Sequence, residues 1–333
     1  MRRSSLFLTG GFALLVLLAL VAMASGRYAL TPSEIMDSVY RRIAGQHSLR
    51  LSDEVLWQIR LPRIALACLV GAALGAAGAA FQHLFRNPLV APDTLGVSSG
   101  AALGAVLAIF VGAGAAVAAL AAFGGGIVTV AIVTALASRI AAHDRVLTLV
   151  LIGVVVASLG GAAISLVKFL ADPYNELPAI TFWLMGSLAA STWRQVAIVA
   201  PAMLIAIGLL AALAWRINLL ALPEDEAHTL GVHVTRLRAI VIATATVATA
   251  ASVAVCGIVG WVGLVVPHMA RLLVGPEFSR LLPVAALFGA AFMLVIDTVA
   301  RTLATIEVPP GILTAVVGTP VFIALLARAR RMF

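Results

Sequence analysis

Long apolar runs alternate with short polar or Gly/Pro-rich stretches along most of the chain. About 20 consecutive apolar residues form an α-helix long enough to cross the ~30 Å hydrocarbon core of a bilayer. The runs therefore predict an all-α integral membrane protein with about ten transmembrane helices. The predicted spans are residues 7–24, 64–81, 101–120, 123–138, 146–169, 196–215, 239–255, 261–273, 282–299 and 312–326.

Two of these assignments have an alternative. Two arginines precede the first span and small residues follow it, as in a secretory signal. Because its apolar run is longer than a typical signal core, we interpret it as a retained first helix. The seventh and eighth spans could also form one long tilted helix over 239–266. Gly257, Gly260 and Gly263 favour a break between them.

Composition agrees with a membrane protein. Apolar residues make up 62% of the chain and charged residues 11%, with a mean hydropathy of +1.12, whereas soluble domains contain about 25% charged residues. The net charge of +8 comes from basic residues dispersed between apolar runs, a distribution that argues against nucleic-acid binding. Cys68 and Cys256 lie inside apolar runs, which favours small hydrophobic residues over a disulfide or a metal site.

The basic residues indicate an orientation. With the N-terminus in the cytoplasm, ten spans place the C-terminus there too, and 13 of the 22 basic residues fall inside and nine outside. This is a modest bias of the expected sign. Two long polar segments interrupt a single transmembrane domain over 1–333: a periplasmic loop at 26–57 with the character of a short amphipathic helix, and a cytoplasmic loop at 217–237.

Catalytic motifs are absent from the sequence. A Walker P-loop needs Gly-Lys-Ser/Thr, and the only lysine, Lys168, follows Val167. The six histidines are scattered and form no His-Glu-x-x-His motif. We therefore predict no cofactor or metal bound by this chain, and a membrane enzyme remains only as an alternative.

Charges inside the predicted spans are scarce. Asp297 is the only acidic residue there, and Arg301 shares its helix face four residues on. A proton- or ion-coupled carrier would be expected to have more intramembrane carboxylates. A secondary carrier is thus the less favoured alternative, and the energy for any transport should come from elsewhere.

Two further patterns concern helix packing and turns. Gly71, Gly75 and Ala79 have the small-xxx-small spacing that lets helices approach closely in lipid. The segment 82–100 is rich in turn residues and ends in Gly-x-Ser-Ser-Gly, which predicts a stiff turn whose serines cap the third helix. The residues of this structural turn are Asn87, Pro88, Pro92, Asp93 and Gly96.

The order of motifs after Trp57 resembles one family: the permease subunits of binding-protein-dependent ABC importers for ferric siderophores, haem and cobalamin, the FecCD type. The matching stretches are Gln-Ile-Arg-Leu-Pro-Arg (58–63), Phe-Arg-Asn-Pro-Leu (85–89), Pro-Asp-Thr-Leu-Gly (92–96), Leu-Met-Gly-Ser-Leu (184–188), Leu-Gly-Val (230–232), Gly-Leu-Val-Val-Pro-His-Met-Ala-Arg (263–271), Leu-Pro (282–283), Asp-Thr-Val-Ala-Arg (297–301) and the stretch 307–320.

The resemblance implies a type II importer permease with inverted four-helix repeats in the bacterial inner membrane. It implies a second permease copy, most simply in a homodimer, with alternating access at the interface and no chemistry on the cargo. It also implies a cytoplasmic ATP-binding subunit that uses ATP and Mg, and a periplasmic substrate-binding protein. A weak internal similarity fits the inverted repeat: Arg60-Leu-Pro-Arg63 precedes the second span, and Arg236-Leu-Arg238 precedes the seventh.

The resemblance also implies that the cytoplasmic loop docks on the ATPase through coupling helices. Three acids after Pro223 would lie on the first turn of a helix, where the helix dipole favours them. A merely solvated loop is the alternative. The predicted coupling residues are Pro223, Glu224, Asp225, Glu226, Ala227, His228, Thr229, Leu230 and Gly231.

The resemblance implies that three outside arginines, Arg60, Arg63 and Arg301, bind carboxylates on the two lobes of the binding protein. A guanidinium can take a carboxylate through two parallel hydrogen bonds. Since Arg60 and Arg63 flank Pro62 at a helix N-terminus, where cations are disfavoured, something should compensate them. Snorkelling to lipid phosphates is the alternative, and Asp297 is expected to hold Arg301 in place.

Cargo is the least constrained expectation. The outside stretch 172–187 resembles iron-chelate permeases more than the cobalamin permease. A ferric siderophore is therefore expected first, with haem, cobalamin or an oxyanion left open.

Overall fold

The computed structural model describes residues 2–46, 50–140 and 145–329, which fold into helices joined by short turns. A π-helical turn (Val55–Arg60) leads into α4, and a 3₁₀ turn (Pro92–Leu95) leads into α5. The α-helices are α1 (Arg2–Ala24), α2 (Pro32–Ile43), α3 (Leu51–Glu54), α4 (Leu61–Leu84), α5 (Val97–Phe110), α6 (Ala115–Arg139), α7 (Arg145–Leu170), α8 (Glu176–Met185), α9 (Trp193–Ala212), α10 (Ala214–Leu219), α11 (Glu224–Thr229), α12 (Val234–Cys256), α13 (Val262–Val274), α14 (Phe278–Thr302) and α15 (Pro310–Ala329).

Ten apolar helices match the ten predicted spans within the described ranges. Seven are long and apolar enough to cross a membrane, namely α1, α4 with its preceding turns, α6, α7, α9, α12 and α14, and the shorter apolar helices are α5, α13 and α15. The predicted fold class is confirmed. The break between the seventh and eighth spans is also confirmed, because α12 ends at Cys256 and α13 begins at Val262.

The boundary between the third and fourth spans was wrong. Helix α5 ends at Phe110 and α6 begins at Ala115, so residues 115–120 belong to the fourth span. The whole stretch is apolar, so no polar residue marked its turn; the marker is Gly112, whose φ of +72° a residue with a Cβ adopts only with strain. Helix α8 was not predicted, although it lies inside the stretch 172–187.

Helix α4 forms the centre of the bundle and packs against α9, α12, α13 and α14. A Cβ added to Gly71 would lie 2.1 Å from the carbonyl oxygen of Gly289 in α14. One added to Gly78 would lie 1.9 Å from the carbonyl oxygen of Gly263 in α13. These glycines therefore bring backbones close together; the small-xxx-small spacing predicted this for Gly71, whereas Gly78 lies outside that spacing.

The two groups of four helices, α4–α7 and α12–α15, have equivalent neighbours. The first helix of each group packs on the second and third helices of the other: α4 on α13 and α14, and α12 on α5 and α6. Within each group the second helix packs on the third and fourth. Such reciprocal packing is expected of an inverted repeat. The second helices, α5 and α13, are short in both groups, with 14 and 13 residues.

The polar segment 26–57 contains α2 and α3, in agreement with the amphipathic helix predicted there. Thr31 and Glu34 form a capping box at the start of α2. The backbone N–H of Thr31, and then its hydroxyl, hold the pKa of Glu34 below its ordinary value. Trp57 donates to Ser38 at 3.0 Å, so the segment folds back on the entrance of α4.

Candidate functional site

Two carboxylates hold Arg63 at the start of α4. Its Nε donates to both carboxylate oxygens of Asp297 at 2.9 and 3.1 Å. Its Nη1 and Nη2 each donate to an oxygen of Glu307 at 3.0 Å. Asp297 lies in α14 and is fully buried, whereas the Glu307 side chain, in the loop before α15, is 34% exposed. The guanidinium therefore ties α4 to α14 and to the following loop.

Arg60 and Arg301 bind the C-terminal end of α1. Arg301 donates to the carbonyl oxygens of Ser25 and Ala22 at 3.3 and 3.2 Å, and Arg60 donates to those of Met23 and Tyr28. The last carbonyls of a helix lack partners within the helix and carry partial negative charge. The end of α1, together with the carbonyl of Tyr28 in the segment after it, thus supplies the compensation that these cations require.

All three arginines predicted to dock a binding protein are buried: Arg60, Arg63 and Arg301 are 3%, 5% and 8% exposed. Their partners are protein groups, so snorkelling to lipid phosphates does not describe them in this conformation. Asp297 does contact Arg301, at 3.3 Å, as the sequence predicted, but its hydrogen bonds are with Arg63. Docking at these residues stays a prediction.

Glu307 is the residue of this cluster that the motif analysis did not single out as a partner. It lies 244 residues from Arg63 along the chain, so no local periodicity connects the two. The one available signal was its position at the start of the last matched stretch, beside a helix entrance.

The predicted coupling segment contains a short helix. Pro223 precedes α11, and Glu224, Asp225 and Glu226 form its first turn, as predicted. Glu224 pairs with Arg238 of α12 at 2.5 Å, and Ala227 is fully buried. His228 and Thr229 end the helix and Leu230 is its C-cap. Gly231 follows with a φ of +78°, which a β-carbon would strain.

Arg86 connects the structural turn to the segment 217–237, which contains the predicted coupling residues. Its guanidinium donates to the carbonyl oxygens of Leu220 and Leu222, the former at 2.6 Å from Nη2. The side chain of Asn87 accepts from the N–H of Leu89 at 2.9 Å, which closes the turn around Pro88. A shift of the segment 217–237 would therefore pull directly on this turn.

The predicted serine cap of α5 was wrong. The N-cap is Gly96, with a φ of +77° and no side-chain cap, and the serines already lie inside the helix. Ser98 donates to Asp93, and Ser99 donates to the carbonyl oxygen of Ala157 in α7 at 3.0 Å. Pro92 begins the 3₁₀ turn that carries Asp93.

Residues 14–328 match the model of the FecCD transport family. The chain belongs to this family. It is 40% identical over 320 residues to the molybdate import system permease protein MolB of Haemophilus influenzae, covering 96% of this chain and 94% of that protein. It is 39% identical over 318 residues to the "Probable iron chelatin transport system permease protein" of Helicobacter pylori strain 26695, covering 95% and 96%.

A solved structure of the same kind confirms the fold. It is described as a metal-chelate type ABC transporter in an inward-facing conformation, and it superposes with a TM-score of 0.88 at 39% identity over 96% of this chain and 98% of that one. Other FecCD-like relatives are named for cobalamin, ferric citrate and hemin. Membership of the FecCD family therefore leaves the cargo open.

We expect Asp297→Asn to destabilise the bundle by about 3–5 kcal/mol, because it leaves two buried guanidinium groups without a full counter-charge. The measurement is the thermal or denaturant unfolding of the purified chain in detergent. Asp37→Asn is the matched control, since its contact with Arg41 is exposed and long at 3.7 Å, and such pairs contribute about 0–1 kcal/mol. Equal stability of the two variants would contradict the structural role of the cluster.

Proposed function

We propose that this chain, an ABC importer permease of the FecCD family, carries a metal chelate across the bacterial inner membrane, a ferric siderophore before haem or cobalamin. The observation that carries the proposal is the solved metal-chelate type transporter, which matches nearly the whole chain at a TM-score of 0.88. The iron chelatin relative supports the same cargo class. Molybdate import by MolB makes an oxyanion the second candidate.

The proposal includes partners. A cytoplasmic subunit would hydrolyse ATP with Mg, and a periplasmic binding protein would deliver the cargo. A second permease copy would form the translocation path by alternating access. The apolar side chains along α7 are mostly exposed, which supports a face that meets lipid or another copy. Both termini and the segment 217–237 would lie in the cytoplasm, and 26–57 in the periplasm.

We expect ATP-dependent uptake when the chain is reconstituted in liposomes with its ATPase and binding protein. Iron-55 chelates, haem, cobalamin and molybdate would be supplied outside and counted inside, with and without ATP. The expected result is uptake of a ferric chelate only with ATP. Uptake without the ATPase would favour a secondary carrier, a chemically altered cargo would favour a membrane enzyme, and uptake of molybdate alone would favour the oxyanion candidate.

The coupling role of residues 223–231 is supported by their shape and charge. Asp225 and Glu226 are exposed on the first turn of α11, while Ala227 anchors the helix in the protein. An anchored helix with an exposed acidic end suits docking on a partner that moves, since Arg86 links the residues just before it to the structural turn.

Charge reversal at Asp225 and Glu226 to Lys should lower cargo uptake per ATP hydrolysed by about tenfold, the scale of losing an interface hot spot. Glu224 is left intact so that its pair with Arg238 keeps α11 folded. The measurement is uptake and phosphate release in the same liposomes. Glu54→Lys, on the predicted opposite face, is the control; an unchanged ratio in the double variant would remove the coupling assignment.

Docking at Arg60, Arg63 and Arg301 requires exchange of partners, because all three are engaged. Glu307 is the partner that could be displaced, since its side chain is partly exposed and accepts from two nitrogens of Arg63. A carboxylate of the binding protein could replace it there through the same two hydrogen bonds. Replacing the arginines themselves would disrupt the buried cluster, so a change at Glu307 tests docking more cleanly.

We expect Glu307→Gln to tighten docking of the cognate binding protein by about tenfold, because the internal competitor for Arg63 loses its charge. Affinity would be measured with the permease complex in nanodiscs at low and high salt, and the gain should shrink at high salt. Asp37→Asn is the control for a lost outside carboxylate. Unchanged or weaker docking of the Gln variant would make the cluster purely structural.

A further inference from the structure

A cavity of about 320 Å³ lies where the two four-helix groups meet. The 3₁₀ turn before α5 forms one wall, and the segment 259–264 at the start of α13 forms the opposite wall. Its polar and aromatic lining consists of Asp93, Thr94, Ser98, Thr249 and Trp261. The sequence predicted only a structural turn here, and the fold places that turn on the wall of a cavity.

Asp93 is the only ionisable residue that lines this cavity in the described part of the chain. Ser98 donates to it, and none of the ion pairs formed by the described residues involves it. Arg86, seven residues earlier, donates instead to the carbonyl oxygens of Leu220 and Leu222. The cavity therefore contains a carboxylate with no counter-charge of its own.

Two hydroxyl oxygens that line the cavity can accept hydrogen bonds from a ligand. Ser98 uses its hydrogen on Asp93, and Thr249 uses its hydrogen on the carbonyl oxygen of Ala245 at 2.9 Å. At the start of α13, the N–H of Val262 bonds to Gly260 and that of Leu264 to Trp261. The hydroxyls of Ser98 and Thr249 can therefore only accept from a ligand, and a ligand that matches them must bring donors or positive charge.

Trp261 supplies a second, independent observation. Its φ is +70°, a strained conformation for a bulky residue, and such strained residues cluster at functional sites. Its ring packs edge-on against Phe322 of α15 at 6.0 Å between centroids, which fixes the indole on the cavity wall. The face of an indole attracts cations, so it favours the same ligand charge as Asp93.

We propose that this cavity contacts a positively charged or hydrogen-bond-donating part of the cargo, so that the permease prefers cationic and neutral metal chelates to anionic chelates and oxyanions. The inference rests on the proposed import function. At about 320 Å³ the cavity is at the lower limit of small-molecule sites, so it would hold one arm of a chelate. A carboxylate close to a bound anion would oppose its binding.

The test uses one chelate in three charge states. A linear ferric hydroxamate with a free amine is cationic, its N-acetyl form is neutral and its N-succinyl form is anionic. Binding of each iron-55 form would be measured on the permease–ATPase complex in nanodiscs without binding protein, so that the selectivity of the binding protein does not contribute. The proteins are the unmodified chain, Asp93→Asn, Trp261→Phe and, as control, Asp37→Asn.

The unmodified chain and the Asp37→Asn control should bind the cationic form about tenfold more tightly than the anionic form. Asp93→Asn should reduce that ratio to about twofold or less, and Trp261→Phe, which keeps a ring against Phe322, should weaken only the cationic form, by about threefold. A ratio unchanged in both variants, a preference for the anionic form, or binding of none of the three would overturn the inference. If a ferric chelate were still taken up in liposomes in an ATP-dependent way, any of these results would contradict only the charge preference and not the import function.

Discussion

The close contact of α4 with α14 and α13 is the constraint on which the rest of the bundle depends. In lipid there is little hydrophobic gain from burying one apolar helix against another, so association relies on close van der Waals contact and polar pairs. Gly71 and Gly78 supply the contact, because a methyl group at either position would overlap a facing backbone oxygen. At the start of the same helix, this close approach of the backbones lets Arg63 reach Asp297.

That arrangement explains why charged side chains are tolerated at the helix ends. Arg63 and Arg301 share Asp297, Glu307 completes Arg63, and the C-terminal carbonyls of α1 satisfy Arg60 and Arg301. A buried cluster of this kind adds little net stability compared with apolar residues, but losing one member is costly. Its effect is to fix the register of α1, α4 and α14 at one end.

Much of the helical frame could be predicted from the sequence, whereas the cluster and the cavity could not. Apolar length is a local property, so the spans were evident, and Gly257 marked the break between α12 and α13 because glycine at positive φ is a local signal too. Helix α8 was missed since its ten residues are too few for a span. Arg63 and Glu307 are 244 residues apart, and only the packing of α4 on α14 brings them together.

The distribution of charge also bears on what can pass through the permease. The formal charge of +8 suggests an attraction for anions, but the structure removes Arg60, Arg63 and Arg301 from that role by pairing them with carboxylates and helix carbonyls. The cavity between the two four-helix groups instead presents Asp93 and the indole of Trp261. Because Coulomb interactions weaken with distance and with screening by salt, a charge next to the cargo affects it more than distant surface charges do, so the proposed preference rests on Asp93 and not on the net charge of the chain.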